Sequence, residues 1–263
     1  MRAGAIALAM LAMTGPVRAE TVQLYSAGSL KGALTDVAKA FETKTGNTVQ
    51  AKFGASGLLK NEIAGGAKTD LFTSANMEHP QALHDAGKSG EVVLFARNKL
   101  CALVKPGLKV DSTKLLAQML DPNVKLGSST PKADPSGDYA FGVFGNAEAL
   151  KPGAKEILEK KALLLTGAKD SAAPPAGHTV YGWHISEGRA DIFLTYCTNA
   201  LAAQKENPTQ QIVALPDSLS VGADYGLTVM NGASPAAQAF AQFIVSPQGQ
   251  TILVGYGFAK GVR

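Results

Sequence analysis

Hydrophobic positions along this chain switch repeatedly between two spacings. Residues 21–25 form a short β-rich run, and apolar residues then recur three and four positions apart over 30–41, on one face of a helix. Gly46 follows and is typical of the residue just beyond a helix. Residues 48–53 then alternate as a second strand. The pattern therefore predicts consecutive strand–helix units.

The same alternation continues to the C-terminus. Further predicted strands are residues 71–75, 92–95, 100–104, 124–126, 190–196, 212–215 and 226–230. Further predicted helices are residues 57–66, a short helix opened by Pro80, 113–120, 154–165, 181–188, 199–205, 235–245 and 247–254. Strands that alternate with helices typically form parallel sheets covered on both faces, so we expect an α/β fold.

The first residues do not fit this pattern. Residues 1–19 combine a basic start at Arg2, an apolar stretch over 5–13 and small residues before a cut after Ala19. That arrangement is typical of a secretory signal peptide, and the apolar stretch is shorter than the roughly 20 residues of a membrane span. A mitochondrial presequence would be richer in arginine and serine. We therefore expect an exported protein from which residues 1–19 are removed.

Length, composition and charge describe an ordinary globular chain. It has 263 residues, 46% of them hydrophobic and 17% charged, and 244 remain without the leader (263 − 19), enough for two lobes. Removing Arg2 and Arg18 lowers the basic count from 25 to 23, against 21 acidic residues. A net charge of +2 with no basic block does not indicate nucleic-acid binding.

The chain has two cysteines, Cys101 and Cys197. An even count in an exported protein favours a disulfide between them. Two buried thiols in separate strands are the alternative, and the sequence leaves both open.

Two serines stand where a predicted strand ends and a predicted helix begins. Ser29 and Ser56 have glycine neighbours, Gly28, Gly54 and Gly57, which would let an anion approach the backbone. A helix N-terminus with unpaired N–H groups attracts anions, and a serine hydroxyl can donate to an oxyanion. Serine is also a common N-cap, so each could simply cap its helix.

A resemblance to a known family adds to this reading. The segments that carry it are YSAGSLKGALTDVAKAFETKTG, FGASGLLKNEIAGGAKTDLFTSA, PSGDYA, TVYGWHISEGRADIFLTYCTNA and SPQGQTILVGYGF. In this order and spacing the chain resembles the periplasmic molybdate-binding proteins of ABC importers over nearly all of its mature length. The resemblance implies a monomer that captures molybdate, and tungstate, and delivers it to a membrane permease without any cofactor.

The resemblance also implies an architecture. It is the two-lobe type II periplasmic-binding-protein fold, in which each lobe is a mainly parallel sheet flanked by helices and the ligand lies in the cleft between them. We expect residues 20–98 together with 224–263 to form the first lobe, and residues 99–223 the second. The crossing strands near 98–104 and 225–230 would form the hinge.

The family's ligand residues can be carried over motif by motif. They are Ser29 in AGSL, Ser56 in GASG, Ser136 in PSGDYA, Val180 in TVYGW and Tyr196 in LTYCTNA. Ser136 and Val180 would donate backbone N–H groups, the others hydroxyl groups, and no side chain would bind a metal ion directly. The chain departs from the commoner pattern at AGSL, at the cysteine after Tyr196 and at the insert AAPPAG, which bears on the choice of oxyanion.

Other functions are weighed against this one. The same fold could hold sulfate, a carboxylate or iron(III), although no arginine is among the carried-over ligands and Arg97 has no assigned role. A hydrolase is less favoured: GASGL lacks the last glycine of a nucleophile elbow, and the chain has no P-loop. Neither histidine pair, His79 with His84 or His178 with His184, has the spacing of a zinc motif.

Overall fold

The computed structural model describes residues 19–261. The predicted signal peptide, residues 1–19, lies outside this range except for Ala19. Within the described range, no helix is both long and apolar enough to span a bilayer.

The described chain is a mixed α/β structure. Its strands are β1 (Thr21–Ala27), β2 (Thr48–Gly54), β3 (Leu71–Ser74), β4 (Val93–Val104), β5 (Leu126–Ser129), β6 (Leu163–Thr166), β7 (Ile192–Tyr196), β8 (Gln211–Ala214), β9 (Gly222–Val229) and β10 (Ala259–Lys260). Its helices are α1 (Lys31–Thr45), α2 (Ser56–Ala64), α3 (Glu78–Asp85), α4 (Leu115–Leu120), α5 (Pro135–Leu150), α6 (Ala154–Lys161), α7 (Val180–Ser186), α8 (Cys197–Glu206), α9 (Pro235–Val245) and α10 (Pro247–Gly255), with a 3-10 turn at Gly28–Leu30.

The strands form two sheets. In the first the order is β2-β1-β3-β9-β4, with β10 added beside β4. In the second the order is β4-β7-β5-β6, with β8 on the other side of β4. Strands β1, β2 and β3 are parallel, as are β5, β6 and β7, whereas every pairing of β4 and β9 is antiparallel. The α/β class is therefore confirmed, but each sheet is mixed rather than mainly parallel.

Strand β4 belongs to both sheets. Its first part, residues 93–99, pairs with β9, and its second part, residues 100–104, pairs with β7 and β8. The sequence predicts two separate strands here because the polar run 97–99 interrupts the apolar pattern. The backbone nevertheless stays extended, since these residues lie where β4 passes between the sheets and can remain partly exposed. The return crossing, from β8 to β9, falls on residues 215–221.

Two helical segments differ from the predicted pattern. Helix α5 covers residues 135–150, an apolar stretch that the pattern did not assign. The predicted helix 154–165 ends at Lys161, and the leucines that follow form β6 beside β5. Apolar runs this short fit either a strand or a helix, and the neighbouring strand decides between them.

The core lies between the helices and the sheets. We call the part of the molecule built on the first sheet the first half, and the part built on the second sheet the second half. In the first half, Phe41 of α1 packs against Phe240 and Phe243 of α9, with ring centroids 5.0 and 5.7 Å apart. Burying each such side chain contributes about 1.5–3 kcal/mol, which fixes the helices on the sheet. The loops at the carboxyl ends of β1 and β2 are thereby held in place.

Candidate ligand-binding site

Ser29 and Ser56 lie next to each other at one edge of the first sheet. Strands β1 and β2 are parallel neighbours, and their last residues, Ala27 and Gly54, are register partners. Ser29 follows in the 3-10 turn, and Ser56 is the first residue of α2. This is the edge at which α/β sheets commonly bind ligands.

Neither serine caps its helix. The residues in the N-cap positions are Ala27 before the 3-10 turn, Leu30 before α1 and Ala55 before α2, and none makes a side-chain cap. True caps occur elsewhere, at Ser234 and Ser246, whose Oγ atoms accept from N–H groups three residues on. The capping interpretation of the two serines is therefore wrong.

Ser56 is buried and has a defined partner. Its Oγ accepts a hydrogen bond from the backbone N–H of Ala75, at 3.2 Å. A hydroxyl group that accepts from the protein keeps its own proton available for another acceptor. Ser56 can thus donate to a ligand oxygen while it is held in place.

Ser29 is positioned by a tyrosine that the sequence did not single out. Its Oγ lies 3.0 Å from the hydroxyl of Tyr225, on β9. Asn98 of β4 donates through Nδ2 both to this tyrosine hydroxyl, at 3.3 Å, and to Oγ1 of Thr198 on α8, at 2.9 Å. Burial raises the pKa of Tyr225 far above its usual value, so the hydroxyl stays neutral and can donate. Asn98 therefore links Ser29 to the second half.

Tyr196 reaches the same backbone position as Ser56. It is the last residue of β7, and its hydroxyl donates to the carbonyl oxygen of Ala75 at 3.4 Å, a long hydrogen bond. Burial raises the pKa of Tyr196 well above its usual range. The N–H of Ala75 thus bonds Ser56 of the first half, and its carbonyl oxygen bonds Tyr196 of the second half. This shared residue brings Ser56 and Tyr196 together.

Ser136 is fully buried near the start of α5. Its backbone N–H, the predicted ligand donor, is engaged by Oδ1 of Asp134 at 3.1 Å. Its Oγ, like that of Ser129 at the end of β5, has no hydrogen-bond partner within residues 19–261. Buried polar groups without partners are uncommon, and they indicate a place for water or a ligand.

Val180 begins α7, and no hydrogen bond within residues 19–261 joins it to the other predicted ligand residues. Its neighbour Tyr181 is better placed. Burial raises the pKa of Tyr181, and the hydroxyl groups of Ser129, Thr195 and Ser136 around it oppose that rise. The second half therefore contributes a cluster of hydroxyl groups that only the fold assembles.

The two halves touch through their backbones. The N–H of Gly57 on α2 donates to the carbonyl oxygen of Ala133, before α5, at 3.0 Å. A Cβ atom on Gly57 would lie 2.4 Å from the carbonyl oxygen of Lys132, so only glycine permits this approach. Lys132 itself has a left-handed φ of 66°, a conformation held by the bond from its N–H to Asp138.

Other candidate groups lie outside this cluster. Arg97 bonds Asp224 at 3.2 Å, in a partly exposed pair across β4 and β9, and the carbonyl oxygen of Lys260. His84 bonds backbone carbonyl oxygens, and His184 is buried between Trp183 and Phe193. No group of His, Cys, Asp or Glu among residues 19–261 could hold a metal ion.

Cys101 and Cys197 are joined in the structure. Cys101 lies on β4, and Cys197 is the first residue of α8, directly after Tyr196. The link lies within the second half and fixes the end of β7 that carries the tyrosine. The sequence separation of the two residues is 96.

A sheet pair sharing one strand, with a polar cluster between the halves, defines a type II periplasmic-binding-protein fold. The chain belongs to the bacterial extracellular solute-binding protein family, which matches residues 22–259. An uncharacterized protein of Pasteurella multocida, PM1146, is 33% identical over 78% of this chain and 86% of its own length. The molybdate-binding protein ModA of Rhodobacter capsulatus is 27% identical over 98% of this chain and 96% of its own.

Solved structures agree on the fold. The periplasmic molybdate-binding protein of Azotobacter vinelandii superposes with a TM-score of 0.71 at 20% identity, over 90% of this chain and 98% of that one. The sulfate-binding protein SubI of Mycobacterium tuberculosis H37Rv gives 0.72 at 18% identity, over 92% and 87%. At these identities the likeness establishes the architecture and not the ligand.

Proposed function

We propose that this protein is a periplasmic solute-binding protein that captures molybdate, and tungstate, between its two halves and delivers the anion to an ABC importer. The observation that carries the proposal is the convergence of uncharged hydroxyl groups from both halves. Ser29 and Ser56 come from the first half, and Ser136 and Tyr196 from the second. The relatives named as molybdate-binding proteins support this choice of ligand, and they are named for binding rather than catalysis.

The chemistry of these groups suits a tetrahedral dianion. Hydrogen bonds to a charged group contribute about 1.5–3 kcal/mol each, so several of them offset much of the anion's desolvation. Ser56 accepts from Ala75, and Ser29 is bonded to a tyrosine that accepts from Asn98. Both serines can therefore be oriented before the anion arrives, which lowers the entropy lost on binding.

The position of the groups also suits capture by closure. An anion that contacts both halves binds the closed arrangement better than an open one, and it shifts the population toward closure. Such a closed state would use the bond from the Gly57 N–H to the Ala133 carbonyl oxygen and the bond from the Tyr196 hydroxyl to the Ala75 carbonyl oxygen. The lobe boundaries near residues 98 and 223 stay a prediction.

Sulfate is the second candidate. It is also a tetrahedral dianion, it can use the same donors, and a sulfate-binding protein shares the architecture. Molybdate is the larger anion, so the size of the closed cavity would separate the two. We place molybdate first because the ModA proteins of Rhodobacter capsulatus and Escherichia coli, which match 98% and 90% of the chain, are named for it.

Calorimetric titration of anion-free mature protein tests the proposal. Molybdate, tungstate, sulfate and phosphate are added in separate titrations at the same pH and ionic strength. One-to-one binding of the first two, with sulfate far weaker, supports the proposal. Tight sulfate binding with weak molybdate binding would make sulfate the ligand. No binding of any of the four anions would reject the proposed oxyanion site.

A further inference from the structure

The start of α5 is closed by its own acidic residue. Pro135 has no N–H, the N–H of Ser136 donates to Oδ1 of Asp134, and the N–H groups of Gly137 and Asp138 donate to the backbone oxygen of Asp134 at 2.8 and 3.4 Å. Every N–H of this first turn is thus engaged by one residue. A carboxylate oxygen stands where an oxygen of the bound anion would be expected.

The surroundings of this carboxyl group do not neutralise it. No salt bridge within residues 19–261 includes Asp134. The backbone lies against one side of this half-buried residue, since a Cβ atom on Gly167 would lie 3.1 Å from Oδ2. Burial raises the pKa of Asp134 to about 6, against the opposing effects of the Ser136 N–H and the Ser129 hydroxyl.

The groups that face Asp134 are few. Asp138 on the same helix adds a like charge that raises the pKa of Asp134 further. The charge of Asp134 in turn raises the pKa values of two tyrosines, so it lies near the hydroxyl cluster. The titratable neighbours are Asp138 on α5, Tyr181 on α7 and Tyr196 on β7, while β5 and the end of β6 contribute Ser129 and Gly167, which do not titrate.

We propose that Asp134 is a specificity-determining residue of the anion site, and that a dianion binds together with one proton taken up by the Asp134 carboxyl group. This inference rests on the proposed function. It is supported independently by the Oγ atoms of Ser129 and Ser136, both fully buried: neither has a partner at hydrogen-bond geometry within residues 19–261, although Ser129 is near enough to Asp134 to lower the pKa of its carboxyl group. These groups indicate that a polar ligand belongs there.

Two physical effects link the proton to the anion. A carboxylate next to a dianion in a poorly solvated site is repelled, and a like charge raises the pKa of the carboxyl group. A protonated carboxyl group is also a weaker acceptor, so it releases the Ser136 N–H for the ligand and can itself donate. The bound anion therefore favours the protonated form.

This linkage makes affinity depend on pH. With a pKa of about 6, the free protein is half protonated at pH 6 and about one part in a hundred protonated at pH 8. If the bound form stays protonated, the dissociation constant rises up to about fifty-fold over this range. A site built only from hydroxyl and backbone donors would show no such rise.

Calorimetry measures the proton directly. Wild-type protein is titrated with molybdate at pH 7 in two buffers that differ in ionisation enthalpy, and then from pH 6 to pH 8.5, where dilute molybdate is the monomeric dianion. We expect an uptake close to one proton and a dissociation constant that rises with pH. Asp134→Asn should abolish both the proton uptake and the pH dependence, and it should bind more tightly than the wild type at pH 8, by up to about a hundred-fold.

A matched control is available one turn along α5. Asp138→Asn makes the same chemical change and should keep the proton uptake, since its carboxylate is bonded to the N–H of Lys132 and not to Ser136; loss of its like charge should only move the rise in dissociation constant to lower pH. If Asp134→Asn does not fold, Asp134→Ser keeps an N-cap oxygen without a titrating group, and the wild-type proton count needs no variant.

The failure of this inference differs from the failure of the proposed function. Molybdate binding with no proton uptake and a flat pH profile overturns the role of Asp134 and leaves the molybdate site in place. No molybdate binding by the wild type at any pH overturns the proposed function, and this inference with it.

Discussion

The Oγ of Ser29 lies 3.0 Å from the hydroxyl of Tyr225, although the two residues are 196 positions apart in the chain. Asn98 donates to the same tyrosine hydroxyl, which leaves the tyrosine proton free to point at Ser29. In this arrangement the serine proton is free for an anion. The contact therefore orients the hydroxyl group of Ser29 as a hydrogen-bond donor.

The Tyr225 hydroxyl should therefore affect both affinity and stability. Tyr225→Phe removes the partner of Ser29, and we expect the dissociation constant for molybdate to rise several-fold. Loss of a buried hydrogen-bonding group should also lower the free energy of unfolding by about 1–2 kcal/mol. Titration calorimetry and urea unfolding measure the two effects.

Tyr256→Phe is the matched control for this variant. It removes a tyrosine hydroxyl that bonds Asp36 on α1, away from the cluster. Its affinity for molybdate should equal that of the wild type. Equal affinities for all three proteins would show that Tyr225 does not position Ser29.

Ser56 and Ser246 allow a serine proposed to bind the ligand to be compared with a serine that caps a helix. Ser56→Ala should weaken molybdate binding by tenfold or more, because it removes a donor to a charged group worth about 1.5–3 kcal/mol. Ser246→Ala removes a true cap from α10, so it should cost about 1 kcal/mol of stability and leave affinity unchanged. Calorimetry and thermal unfolding of both variants test this contrast, and the reverse result would make Ser56 structural.

Gly57 should control closure. Gly57→Ala places a methyl group against the carbonyl oxygens of Lys132 and Ala133, at 2.4 and 2.8 Å, unless the two halves separate. We expect molybdate affinity to fall by more than tenfold, and small-angle scattering with molybdate present to report a larger radius of gyration than for the wild type.

Gly145 offers the comparison for this glycine. It lies within α5, with nothing within 4 Å of an added Cβ atom. Gly145→Ala should keep full affinity and gain about 0.5–1 kcal/mol of stability, because alanine is the better helix former. Wild-type affinity in Gly57→Ala would mean that ligand binding does not need the contact to Ala133.

The link between Cys101 and Cys197 should stabilise the second half. Replacing both cysteines with alanine should lower the free energy of unfolding by about 2–4 kcal/mol, since the linked residues are far apart in the chain. The end of β7 would be less firmly held, so molybdate affinity should also fall. Denaturant unfolding of the double variant and of the oxidised wild type measures the difference.

Peptide mapping under non-reducing conditions provides the direct check. A disulfide-linked peptide pair containing Cys101 and Cys197 is expected. Recovery of both thiols free from exported protein would contradict the pairing, and the stability difference would then come from packing alone.

Local patterns predicted the elements whose signals lie within a few residues. Helices α9 and α10 match the predicted ranges, because Pro235 and Pro247 open them and their apolar residues repeat at helical spacing. Strand β1 and helix α1 were predicted from the spacing of their apolar residues. The family resemblance, which depends on the order of several motifs, predicted the two-lobe architecture.

Contacts between distant residues were beyond these patterns. An acid before a helix signals locally that Asp134 caps α5, but nothing local shows that Gly167, after the end of β6, lies against its side chain. The pairing of Ser29 with Tyr225 likewise depends on β9 lying in the first sheet. The continuity of β4 through the polar run 97–99 follows from pairing with different strands on each side.

The sequence by itself determined the α/β class and the place of the two serines at strand ends, and it led us to expect an export signal. The spacing of hydrophobic residues, the composition and the order of motifs can all be read along the chain. The tertiary structure alone decided that the serines are not caps, that Tyr225 and Ala75 position them, and that Gly167 lies against the half-buried carboxyl group at the start of α5. Hydrogen-bond partners and burial depend on where distant segments come together, and a hydroxyl or carboxyl group acquires its role only from those neighbours.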